Sequence, residues 1–262
     1  MKGTLKNNLM RKPLRKIAGA ALAMLMVFTL TPAMAHADTM QPGDYHVVTN
    51  LNVSGLGMLS RVTGTLNVDN TISAPTAKPV ADVSNQYTGH IVSSVEAADL
   101  FEGSYQLYLD DIKGRGTPGL YWENIVMFDK DGNFPVAQYT VQFPSNFTVD
   151  ADNITFSENT ATISLITKEY IQATNSVVFT FRLGNWNDYK GFFELVASER
   201  GQSGHLINID IPYTADGTNA PAHFLGTVTG SGICQLYKHG KFPLIRPIVD
   251  IEITETCLNV AR

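Results

Sequence analysis

Gly201-Gln202-Ser203-Gly204-His205 comes close to the turn that exposes a nucleophilic serine in α/β hydrolases, but His205 stands where that motif needs its last glycine. The turn must also join a strand to a helix, and the polar flanks here read as an exposed loop. Six carboxylates lie near aromatic residues: Asp110, Asp111, Glu123, Asp188, Glu194 and Glu199. Two acids facing each other across a cleft suffice to hydrolyse a glycoside, yet no spacing among these selects a pair. The sequence assigns no catalytic residue.

Asp129-Lys130-Asp131-Gly132-Asn133 alternates oxygen donors as a calcium loop does, with Asp129, Asp131 and Asn133 as the ligands. Phe134 and Thr140 replace the turning glycine and the closing glutamate, so the stretch reads first as a hairpin turn between strand-like flanks and only weakly as a metal site. The histidines lack the close spacing of paired zinc ligands. No cofactor is implied.

Rings and amide or acid groups share the segment Gly184 to Gly191, where Trp186, Asp188 and Tyr189 lie close together, and Tyr121 with Trp122 forms a similar group. A flat ring beside Asn and Asp suits a sugar, and loops at the end of a rigid scaffold are where binding residues concentrate. The competing reading is that both tryptophans cap the core.

These candidates need a frame, and the frame has period two. Val62, Leu66 and Val68 alternate with polar residues, as do Ala137 to Phe143, Val177 to Leu183, Ile207 to Ile211 and Val249 to Ile253. That is the pattern of strands with one dry and one wet face. Asx- and Gly-rich turns separate them, as at Asp152-Asn153 and Asp216-Gly217. The expectation is an all-β antiparallel sandwich, as one domain or two packed subdomains divided near 145 or 199–204. Ser93 and Glu96 have capping-box spacing, which predicts one short helix over 94–101 stopped by Gly103. Pro75 and Pro79 mark 73–87 as a loop.

The first 37 residues read as a cleaved secretory signal peptide. Lys2, Lys6, Arg11, Lys12, Arg15 and Lys16 precede an apolar run from Ile17 to Leu30, and Ala35-His36-Ala37 offers small residues for cleavage. The run is too short to span a bilayer, and no later segment is long and apolar. The expected mature chain, 38–262, is periplasmic or secreted. It keeps 13 basic against 24 acidic side chains, a net charge of −11, which disfavours nucleic acid and anionic lipid surfaces. In an oxidising compartment Cys234 and Cys257 are expected to form a disulfide.

Together these features point to an exported, non-catalytic binding or interaction protein with a protein or glycan partner. The alternatives are a structural subunit of a surface appendage or secretion assembly, which would join through edge strands, and a polysaccharide hydrolase.

Overall fold

The alternating segments form strands because each can bury one row of side chains only against a second sheet. In the computed structural model two sheets do this. The residues described are 48–54, 61–68, 72–109, 113, 127–128, 136–184, 189–238 and 247–262. Residues 35–262 make one compact unit.

The larger sheet has eight strands in the order β1 (Val48–Ser54), β2 (Arg61–Leu66), β14 (Pro247–Ala261), β13 (Phe224–Lys238), β7 (Val136–Gln142), β11 (Ser176–Leu183) and β10 (Ile163–Ile171), with β6 (Met127–Phe128) also on β13. The smaller has six: β3 (Ile72–Ser73), β5 (Gln86–Glu96), β12 (Leu206–Asp216) and β8 (Phe147–Val149) in order, with β4 (Lys78–Pro79) on β5 and β9 (Thr155–Glu158) on β12. The described pairs are antiparallel except β14 with β2. The chain is a β-sandwich, as its alternation predicts.

Register explains the core. On β7 the buried residues are Ala137, Tyr139 and Val141; on β11, Val177, Phe179 and Leu183; on β12, Ile207, Ile211, Tyr213 and Ala215. Phe181 and Ile209 pack against the same core, and the residues of opposite parity point outward. Two rings need room that only glycine leaves: a methyl on Gly89 would overlap the Tyr213 hydroxyl, and one on Gly230 the Tyr139 hydroxyl. Gly89 is the cross-strand partner of Tyr213, so the missing side chain is the space the ring occupies.

The helices depart from expectation. Ser93 and Glu96 belong to β5, and α1 runs from Ala97 to Leu107 with Gly103 inside it. A second helix, α2 (Tyr189–Glu199), begins within the 184–191 segment read as a binding loop. Its apolar stripe is Phe192, Phe193 and Val196, all buried, a helical spacing. Phe192 meets Phe101 of α1 edge-on with ring centroids 5.1 Å apart, and Phe193 stacks on Tyr108 at 4.9 Å. Gly201, at φ 69°, ends the helix in the left-handed conformation. The turn expected at 129–133 lies outside the described residues; of its flanks, β6 and β7 each pair with β13.

The expected disulfide is also corrected: Cys234 and Cys257 are not bridged to each other. They lie on neighbouring strands, but Cys234 pairs with Ile251, six positions along β14 from Cys257. At about 3.3 Å per residue that is roughly 20 Å, against a Cα separation of at most about 7 Å for a bridge. Cys234 faces the core and Cys257 is exposed.

Candidate functional site

Three carboxylates converge on the segment from Glu199 to His205, which links α2 to β12. Glu199 accepts hydrogen bonds from Thr160 Oγ1, from Ala161 N at 2.6 Å and from Thr162 Oγ1 at 2.8 Å, and His205 Nδ1 lies 3.4 Å away. Glu102 on α1 receives a two-point contact from Arg200, with Nε to Oε2 at 2.8 Å, and a third bond from Gln106 at 2.6 Å. Glu96, at the end of β5, takes the amides of Gly204 and His205 at 2.7 and 2.9 Å. Arg200 also lies over the Tyr105 ring, 5.3 Å from its centroid.

All three acids are buried. Burial pushes Glu199 up, but the bonds from Thr160, Ala161 and Thr162 and the nearness of His205 outweigh it and leave the group below its ordinary value. Glu102 is lowered in the same way: burial raises it, and the Arg200 and Gln106 hydrogen bonds with the Arg200 charge prevail. A general acid needs the opposite shift. These carboxylates are therefore suited to holding the two helices and the 199–205 segment against the sheets.

That geometry disposes of the serine motif. Gly201 to His205 runs from a helix into a strand, the reverse of a nucleophile elbow, and Ser203 is exposed. Of the six carboxylates, Glu199 is a buried acceptor and Glu194 is exposed on α2, 3.8 Å from Lys190. Asp110, Asp111, Glu123 and Asp188 lie outside the described residues, as do Trp186, Tyr121, Trp122 and the Asp129, Asp131 and Asn133 group; of Tyr189 only the backbone, opening α2, is described. Among the described residues no three His, Cys, Asp or Glu side chains are grouped to hold a metal ion.

What the fold does bring together is the outer face of the larger sheet. Register sets Thr65 beside Glu252, Glu252 beside Ile233, Ile233 beside Gln138, Gln138 beside Thr180, and Thr180 beside Thr167, one row across six strands. The next row along β13, β7 and β11 is Ser231, Thr140 and Val178. Side-chain bonds order this face: Gln138 to Thr180 at 3.3 Å, Gln235 to Asp250 at 2.9 Å and Thr227 to Asn259 at 3.0 Å. Ile233 is 38% exposed at its centre. Sequence reasoning took these polar residues only as the wet half of an alternation, and pairing register is what assembles them into one surface.

The sheet edges are built differently. On β10, Lys168 points inward and donates to the carbonyls of Ala151 and Ile154 at 2.8 and 2.9 Å, and the register shifts between Ile163 and Leu165. On β1 the register shifts between Thr49 and Asn52, with Asn50 at φ 52°. The smaller sheet ends in strands of two to four residues. Inward lysine, bulges and short edges all oppose the addition of another strand.

Fold and surface thus define a two-sheet sandwich with a helical pair latched to it and a broad polar outer face. No protein-family model matches the chain, and no curated protein is similar to it in sequence. Among solved structures it is similar to the collagen-binding domain from a Staphylococcus aureus adhesin, at 8% identity and TM-score 0.28, covering 72% of this chain and 97% of that one. It is also similar to ACE19, the collagen-binding subdomain of an Enterococcus faecalis surface protein, at 9% identity and TM-score 0.29, covering 71% and 97%. A third is the major pilin subunit of Bacillus cereus, at 8% identity and TM-score 0.30, where the match covers 72% of this chain and 40% of the pilin. Likeness at this level leaves function to be argued from the chain's own surface. Among the described residues no helix is long and apolar enough to cross a membrane.

Proposed function

We propose that the chain is an exported, non-catalytic binding protein that holds an extended protein or glycan partner against the outer face of its larger sheet. The observation that carries this is the ordered row of hydroxyl and amide side chains from Thr65 to Thr167 with Ile233 at its centre. Seven strands about 4.8 Å apart span roughly 30 Å, and seven residues of strand add about 23 Å. The product, on the order of 700 Å², approaches the ~800 Å² that one partner buries in a standard interface. Among the described side chains of this face, Asp250, Glu252, Glu255 and Glu169 outnumber Arg182, which selects against anionic polymers. Export rests on the basic start, apolar run and small-residue cleavage site of residues 1–37.

A structural-subunit role through strand addition fits the guarded edges less well, and hydrolysis has no acid pair to work with among the described residues. The test is saturable binding of the purified chain to immobilised matrix proteins and neutral glycans, with hydrolysis of the same glycans followed in parallel. Binding without turnover is expected. Turnover, or no binding to any of these polymers, would overturn the proposal.

A further inference from the structure

The interior of the sandwich is not completely filled. Ala137 on β7 and Cys234 on β13 are direct cross-strand partners, both buried and both facing the smaller sheet. Two small side chains side by side leave space that neighbouring strands would fill with larger ones. Tyr139, the next inward residue on β7, places its ring over Gly230 and Gly232 instead. The result is a cavity of about 100 Å³ whose wall includes Ala137, Cys234, Phe179, Ile207, Ile211 and Ile253.

The wall is almost wholly apolar. A water molecule needs two to four polar partners, so such a space stays dry, and an apolar cavity of about 150 Å³ lined by Leu, Ile and Phe takes up benzene or xenon. The Cys234 thiol is the nucleophilic group on this wall, and burial followed by the Asp250 charge pushes it up to about 12, so it stays a neutral thiol. Covalent capture at Cys234 is therefore disfavoured, whereas reversible occupancy is not.

We propose that the space between the sheets above the Ala137–Cys234 pair is a binding site for a small apolar molecule, of benzene size or below. This site is independent of the outer face, because it opens to the inward side of the same strands.

The experiment uses the intact chain, xenon and benzene as probes, and methyl-resolved NMR as the readout. Saturable shifts are expected at the methyl groups of Ile207, Ile211 and Ile253, with the exposed Val83 and Leu165 unmoved, and benzene is expected to raise the melting temperature. Ala137→Leu should fill the space and abolish both responses; if that variant does not fold, Cys234→Val gives a partial filling with at least a several-fold weaker response. Absence of saturable shifts in the unmodified protein, or equal shifts at the surface methyls, would overturn the proposal.

Discussion

Replacing Glu199 by alanine tests the latch that holds the helices to the sandwich. The substitution leaves Thr160 Oγ1, Ala161 N and Thr162 Oγ1 without their acceptor. Thr162 is fully buried, so water cannot take over there. An orphaned buried polar group costs about 1–3 kcal/mol. With Thr162 and the Ala161 amide bearing most of the loss, a destabilisation of about 3–5 kcal/mol is expected. For a chain of this size each kcal/mol lowers melting by about 2–4 °C, so thermal unfolding should fall by roughly 6–20 °C. Acidity should act on the same group. Folding lowers its pKa, so its contribution is complete above the ordinary value of 4.5 and is lost as pH falls through the lower folded value. The unmodified chain should therefore lose more melting temperature between pH 5 and pH 3 than Glu199→Ala does. A drop under about 2 °C at neutral pH, or identical acid sensitivity in the two proteins, would refute this reasoning.

Other consequences follow from the same packing. Gly89→Ala should destabilise by at least about 1–3 kcal/mol through overpacking, because the added methyl must displace the Tyr213 ring; denaturant unfolding reads this directly. The two unbridged thiols should differ in access: a disulfide-exchange reagent should modify exposed Cys257 in the native chain and buried Cys234 only after unfolding, while reductant leaves melting unchanged. Lys168→Met should lower stability by no more than about 2 kcal/mol in denaturant unfolding yet increase self-association in light scattering, since it removes the inward charge guarding β10.

The sandwich was legible because period-two alternation at 137–143, 177–183 and 207–211 is a local signal that survives in the folded chain. The helix at 189–199 was not, because Phe192, Phe193 and Val196 are too close together to stand out between strands, although Gly201 as a left-handed stop was a usable cue. Ser93 and Glu96 misled for a physical reason: the glutamate does cap backbone amides, but those of Gly204 and His205, more than a hundred residues away. The cysteine pairing failed because the compartment says nothing about register, and register puts the thiols on opposite faces. The polar outer face was present as scattered threonines and glutamines, and only the strand order β2-β14-β13-β7-β11-β10 makes it a surface.

That surface is tested most directly by measuring partner affinity for three proteins side by side: the unmodified chain, a face variant carrying Gln138→Lys and Thr180→Lys, and an edge variant carrying Leu165→Pro on β10, outside the Thr65 to Thr167 row. With melting temperatures confirming that all three are folded, the face variant should bind at least tenfold more weakly, a loss of about 1.4 kcal/mol or more, and the edge variant should bind as the parent does. Unchanged binding by the face variant together with loss in the edge variant would contradict recognition through the sheet face and favour strand addition at β10.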